Sequence, residues 1–195
     1  MNRYVIVGGG VAGTTAAQNL RRLDPAAAVT LVGDEPYPYY YRPKLWKFLT
    51  GRLESSALYY RPTDWYAGQE IDLRLSAEVY RLLPRDHAIE LVSGERIDYH
   101  RLLLATGACC FVPDVPGVEM PGVFVLRTLQ DAVAMRDWAS HSRRAVVVGG
   151  GLLGLETAHA LSSLKLHVTV VEIAPHLLPR QLDREGAEFL QARLE

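Results

Sequence analysis

The chain has 195 residues, with 21 basic and 22 acidic side chains for a formal net charge of −1, and 49% of its residues are hydrophobic. That balance gives no electrostatic reason to expect nucleic acid or an anionic membrane as a partner, and the apolar content can bury the core of one large domain or two small ones. No stretch approaches the roughly 18 apolar residues that span a bilayer, and the first apolar run breaks at once into Gly8, Gly9 and Gly10 instead of continuing as a secretory signal, so a cytoplasmic location is expected.

Residues 4–7 are a short apolar run ahead of glycines, the pattern of a buried parallel strand. Residues 11–23 place apolar and small side chains at helical spacing until Asp24 and Pro25 stop them, and 28–32 ("AVTLV") read as a second strand. The result is a βαβ unit of about 30 residues. Residues 34–47, "DEPYPYYYRPKLWK", hold three prolines and four tyrosines and fit neither periodicity, so they read as an ordered loop. A short helix is expected at 45–49, ended by Gly51, and a helical turn at 63–66. Residues 71–75, 77–83 and 88–92 alternate as strands, and Ser93-Gly94 turns the chain into 96–99. Together they predict an antiparallel meander inserted into the α/β framework. Residues 101–106 return as a buried strand ending at Gly107. The proline- and glycine-rich stretch 108–125 reads as a linker, and its adjacent Cys109 and Cys110 as small core residues rather than a redox pair. A helix is expected over 128–140. A second βαβ unit follows, with strands at 145–148 and 167–171 around a helix at 152–164, and Glu195 falls inside what reads as the next helix. The predicted fold is α/β, with two Rossmann-like dinucleotide-binding βαβ units, the first carrying the β-meander.

The two units share a phrase. "VIVGGGVAGTTAA" begins at Val5 and "VVVGGGLLGLETA" at Val146, 141 positions later. Each satisfies G-x-G-x-x-G, through Gly8, Gly10 and Gly13 in the first and Gly149, Gly151 and Gly154 in the second. In such a turn the first glycine permits the bend out of the strand, the second lets backbone approach a pyrophosphate, and the third lets helix and strand pack closely. The phosphates then sit at a helix N-terminus, where free N–H groups and the macrodipole favour negative charge. One match is weak, since glycine turns also occur without a ligand; two in full strand–turn–helix–strand context point to two dinucleotides. A ribose-binding carboxylate is expected at the end of each second strand. In the second unit it is Glu172, 18 residues after Gly154. In the first, Gly33 takes that place, leaving Asp34 one residue later, with Glu35 as the substitute. A carboxylate pairs with two ribose hydroxyls and repels a 2′-phosphate. No Arg or Lys follows Glu172 in Ile173, Ala174, Pro175 and His176, so NADH is favoured over NADPH.

These residues resemble the FAD-dependent pyridine-nucleotide oxidoreductases with two dinucleotide-binding domains, and among them NADH:rubredoxin and ferredoxin reductases, the flavin part of assimilatory nitrite reductases, and apoptosis-inducing factor. The likeness is carried by 8–13, "DEPYPYYYRPKLWK", "LLLATGA" at 102–108 and "VVVGGGLLGLE" at 146–156. It implies FAD on the first unit and NAD(P)H on the second. The implied organisation is an FAD-binding first segment at 1–110, a linker and connecting helix at 111–143, and an incomplete NAD(P)H-binding domain at 144–195. It further implies Asp34 on the FAD ribose, Arg42 on the flavin nucleotide, and Lys47 near flavin N5. Thr106 and Gly107 would close over the FAD, and Glu156 would face Lys47. The bland alternatives are solvated loop cations for Arg42 and Lys47, and for Glu156 a first-turn acid stabilised by the helix dipole alone.

The expected reaction is hydride transfer from NADH to FAD, followed by electron delivery to a small redox protein or linked redox domain such as rubredoxin, ferredoxin or a nitrite reductase centre. The rivals are an NADH oxidase using oxygen and a non-catalytic FAD/NAD-binding regulatory or signalling flavoprotein. Residues 42–47 contain no cysteine, which removes the thiol relay of glutathione-reductase-like relatives, and Trp46 stands where many relatives have a small polar residue. No histidine pair has metal spacing, so no metal is expected, and His100, His159 and His167 read as structural. A homodimer of the full-length protein is compatible with the resemblance. Measured against the family, the chain reads as the N-terminal part of an enzyme, expected by itself to bind FAD weakly and to show little NADH-dependent activity.

Overall fold

The computed structural model describes residues 1–194; Glu195, the last residue of the expected 144–195 span, lies outside them. In chain order the first elements are β1 (Arg3–Val7), α1 (Val11–Leu23), β2 (Ala28–Val32), α2 (Leu45–Leu49), α3 (Thr63–Gly68) and β3 (Ile71–Arg74). Next come β4 (Val79–Leu83), β5 (Ala88–Leu91), β6 (Arg96–Asp98), β7 (Arg101–Leu104) and α4 (Leu129–Ser140). The chain then forms β8 (Arg144–Val148), α5 (Leu152–Ser163), β9 (His167–Val171) and α6 (Arg184–Leu194). The fold is α/β, with both expected βαβ units present. Two compact units divide the chain: Met1–Tyr41 with Tyr59–Cys109, and Arg42–Leu58 with Cys110–Glu195. The segment Arg42–Leu58, inside the 1–110 span of the sequence reading, thus groups with the second unit.

In the first unit a parallel sheet runs in the order β3-β2-β1-β7, beside a separate antiparallel sheet β4-β5-β6. Here one sequence expectation is corrected. Residues 71–75 were expected in the meander, but β3 pairs in parallel with β2, Val29 opposite Ile71 and Leu31 opposite Leu73. The chain between β2 and β3 is long enough, and helical enough at α3, to make the crossover that parallel neighbours need. The meander is therefore three strands. It covers one face of the parallel sheet, while α1 and α3 cover the other. Ile6, Val29, Leu31 and Ile71 pack with Ala17 of α1 and Tyr66 of α3, while Val5, Val7 and Val32 pack with Ile89, Leu91 and Tyr99. Burial on both faces is why β1 and β2 read as continuous apolar runs.

In the second unit β8 and β9 pair in parallel, Val146 opposite Thr169 and Val148 opposite Val171. One face carries Val147, Val168 and Val170 into a core with Ala158 and Leu161 of α5, Met135 and Ala139 of α4, and Leu49 of α2. α2 is further tied to α4 and α5 through its aromatics: the Arg136 guanidinium lies 4.3 Å from the Phe48 ring centroid, and Trp46 meets the His159 ring edge-on at 5.9 Å. The other face of this two-stranded sheet leaves Val146, Val148 and Val171 65%, 77% and 51% exposed.

Candidate dinucleotide-binding turns

The two glycine turns repeat each other in detail. Gly8 has φ +115° and Gly149 φ +114°, a left-handed conformation that only glycine adopts freely, and it is this that swings the chain out of β1 and β8. Each turn is hooked to its neighbouring strand by one hydrogen bond, Gly8 N–H to Val32 O and Gly149 N–H to Val171 O, both 2.7 Å. The third glycines meet the first. A Cβ on Gly13 would lie 1.9 Å from Gly8 O, and a Cβ on Gly154 would lie 1.9 Å from Gly149 O. The second glycines are the opposite case: a Cβ on Gly10 or Gly151 would meet no atom within 4 Å. Nothing in the fold itself therefore demands glycine there, and the open space fits a group brought from outside to the backbone.

Both open glycines are the N-caps of long helices, α1 and α5, and neither helix has a side-chain cap or an acid in its first turn. The first-turn N–H groups and the positive end of each dipole are left for an anion. The residues present fit the pyrophosphate of a dinucleotide at each turn. The turns differ at Gly8, where β7 comes close. A Cβ there would sit 2.1 Å from Ala105 O, just before Thr106 and Gly107, which are both exposed; Gly107 takes φ +74° as the chain leaves the sheet.

The acids are arranged differently in the two units. Glu172 sits at the end of β9 and uses both oxygens locally: Oε1 accepts from Ala174 N–H at 2.8 Å and Oε2 from Gly150 N–H at 2.7 Å. These bonds, Ala174 first and Gly150 second, hold its carboxyl below the usual glutamate range. Each carboxylate oxygen has a further lone pair, so a ribose diol can still be accepted. In the first unit Gly33 lies buried at the corresponding place, its N–H donated to Arg74 O at 2.8 Å. Asp34 is exposed, whereas Glu35 is half-buried and accepts the Tyr40 hydroxyl at 2.5 Å.

Arg42, Lys47 and Glu156 all belong to the second unit. Arg42 donates to Arg127 O at 2.8 Å. Lys47 is exposed, with its ammonium 5.3 Å from the Trp46 ring centroid. Among the described residues no salt bridge joins it to Glu156, which is half-buried in the first turn and a half of α5.

The cysteines need a correction. Cys109 is exposed, Cys110 is partly exposed, and neither forms a disulfide, so they are not core residues. They follow Gly107 into irregular chain that has left the sheet, where no apolar layer is there to receive them. His100 anchors the start of β1, its Nδ1 accepting from Arg3 N–H at 3.0 Å. Among the described residues no three His, Cys, Asp or Glu side chains gather as a metal site. What the sequence reading passed over is Gly150, the middle glycine of the second turn. Its signal was the unbroken triplet Gly149-Gly150-Gly151, since the fingerprint requires only the outer two.

Known proteins share this arrangement over nearly all of the chain. Rubredoxin-NAD(+) reductase of Pseudomonas putida is 35% identical over 192 residues, covering 98% of this chain and 50% of that protein. The NAD(P)H nitrite reductase of Bacillus subtilis (strain 168) is 34% identical over 195 residues, covering 99% of this chain and 24% of that protein. A ferredoxin reductase from Rhodopseudomonas palustris superposes with a TM-score of 0.91 at 32% identity, covering 99% of this chain and 48% of that one. The chain thus spans half or less of the length of these relatives. The family described as pyridine nucleotide-disulphide oxidoreductase matches residues 2–195, and with both glycine turns in place the chain belongs to it.

Proposed function

We propose that the chain handles both cofactors of a flavoprotein reductase, with FAD on the first turn and NADH on the second. The single observation that carries this reading is the duplicated turn, two open helix-capping glycines, each set between a first glycine of positive φ and a third glycine with no room for a side chain. When bound, the cofactors supply hydride transfer from nicotinamide to flavin and electron delivery to an acceptor. The protein's part is binding and orientation. Gly8 and Gly13 fix the first turn and Gly10 opens it to the FAD pyrophosphate. Asp34, with Glu35 as the alternative, takes the ribose, and Thr106 and Gly107 cover the flavin nucleotide. Gly149, Gly151, Gly154 and Glu172 do the same for NADH. Arg42 and Lys47 enter the reading as flavin-side cations, and Glu156 as the acid that complements Lys47. In domain terms, 1–110 supplies the first FAD segment, 111–143 the connection, and 144–195 the nucleotide-binding part.

The acceptor is proposed to be a small redox protein or domain of the rubredoxin, ferredoxin or nitrite reductase type, because proteins so named are among the relatives. A cytoplasmic location and a homodimer of the full-length protein complete the reading, and cell fractionation and sedimentation test them. The direct test is anaerobic NADH oxidation by the full-length protein with FAD, with and without rubredoxin or ferredoxin, repeated in air. Turnover that requires the redox protein supports the proposal. Turnover on oxygen alone makes the protein an NADH oxidase, and binding without turnover makes it a regulatory flavoprotein.

A further inference from the structure

Apart from Gly8, which Ala105 approaches in the first unit alone, the two copies of the turn part company at Gly150. Its N–H donates to Glu172 Oε2 at 2.7 Å and its carbonyl accepts Leu178 N–H at 3.0 Å, so the loop after β9 is folded down upon it. Leu178 holds φ +51°, a conformation a leucine seldom takes, in making that return. There is no room above Gly150: a Cβ would lie 2.7 Å from Leu177 Cδ2, 3.1 Å from Glu172 Cβ and 3.3 Å from Glu172 Cγ. The matching residue of the first turn, Gly9, is unconfined. A Cβ there would come no nearer than 3.8 Å to any atom, that atom being the Cα of Gly33, the glycine that replaces the acid. The middle of the second turn thus has no room for a side chain between Leu177 and Glu172, whereas the middle of the first turn has.

We propose that Gly150 is a specificity-determining positioning residue, whose missing side chain lets the loop close under Leu177 so that the Gly150 and Ala174 N–H groups hold the Glu172 carboxylate in the place where it accepts the nicotinamide dinucleotide's adenosine ribose. The inference rests on the second turn being the NADH site. Its physical content is that the carboxylate is fixed before the ligand arrives, so binding need not order it. An alanine at 150 displaces the tip of Leu177, which can move, and presses on the Cβ and Cγ of Glu172, which are close to the strand and can move only by shifting the carboxylate. NADH, whose free 2′-hydroxyl uses that carboxylate, loses affinity. NADPH, whose 2′-phosphate is repelled by it, does not.

The test is a double-mutant cycle in the full-length protein, with NADH and NADPH dissociation constants measured by fluorescence titration for wild type, Gly150→Ala, Glu172→Ala and the double variant. The expected result is a roughly three- to tenfold loss of NADH affinity in Gly150→Ala, little change for NADPH, and no further NADH loss when Gly150→Ala is added to Glu172→Ala. A purely structural role would lower both nucleotides together. Unchanged NADH binding in Gly150→Ala, or losses that simply add in the double variant, overturns the proposal while leaving the NADH site standing. Unchanged NADH binding in Glu172→Ala removes the site reading, and the proposal with it. If Gly150→Ala folds poorly, Leu177→Ala carries the same test by removing the cover without adding an atom: it is expected to weaken NADH selectively, and equal effects on both nucleotides overturn the proposal.

Discussion

At the level of single residues, glycines of one motif do unlike work, and substitution should separate them. Gly10→Val adds a branched side chain where the fold has open space, at an extended φ of −77° that valine tolerates. The thermal midpoint should hold while FAD affinity falls by about tenfold or more, equivalent to about 1.4 kcal/mol. Gly13→Ala adds its Cβ 1.9 Å from Gly8 O and should cost about 1–3 kcal/mol of stability before any cofactor is added. Thermal melts and FAD titrations of the two variants check the contrast, and a Gly10→Val protein that binds FAD normally would remove the first turn from the flavin site. Glu172 adds a pH signature. Its folded-state pKa is lowered, so its contribution is fully present above the ordinary glutamate range and is lost as pH falls through the lowered value. NADH affinity and the melting midpoint should both decline on that acid side, and Glu172→Gln should flatten that part of both profiles.

Among the elements, α4 has the best-made start. Thr128 Oγ1 accepts from Asp131 N–H at 3.1 Å, and Asp131 Oδ2 accepts from Thr128 N–H at 2.7 Å and from Arg127 N–H at 3.0 Å. Thr128→Ala should therefore lower stability by about 0.5–2 kcal/mol, read by chemical denaturation. The contrast with α1 and α5, which lack any such cap, is itself informative, because a capping side chain occupies a first-turn N–H group and the space in front of it that a phosphate would need. This scale also shows what the sequence made legible. α1 and β2 stand where periodicity and breakers put them, because Asp24, Pro25 and the glycines are local signals. The glycine turns and Glu172 were readable for the same reason. β3 was not, since Ile71 and Leu73 alternate equally well in a meander or at a parallel edge, and only the partner strand decides. Nor was the surface position of Cys109 and Cys110, because small apolar side chains in irregular chain carry no period. Gly150 and Ala105 act through backbone approach, which leaves no mark on residue type beyond a glycine that the motif did not require.

For the chain as a whole, apolar surface gathers on the outer face of β8 and β9, where Val146, Val148 and Val171 are more than half exposed, with Ile173 fully so just beyond. A contiguous apolar patch of this kind drives association. The 195-residue chain should self-associate with rising concentration and bind a hydrophobic dye. Val146→Thr with Val148→Thr should reduce both while leaving the Val147 side of the sheet packed. Sedimentation and dye fluorescence measure the effect, and a strictly monomeric, dye-silent wild type would show that the face is not sticky in water.

The membership of Arg42–Leu58 in the second unit has a consequence for synthesis. As the polypeptide leaves the ribosome, every residue of the first unit is available once Cys109 has emerged. α2, made earlier than most of that unit, has no finished core to enter until α4 and then α5 are made, more than a hundred residues after Leu49. At usual elongation rates that interval is on the order of ten seconds, during which Leu45, Phe48 and Leu49 present their apolar side chains to whatever is nearby. A nascent chain arrested after Cys109 has cleared the ribosome and before α4 has should therefore hold a protease-resistant first unit and a cleavable stretch around α2.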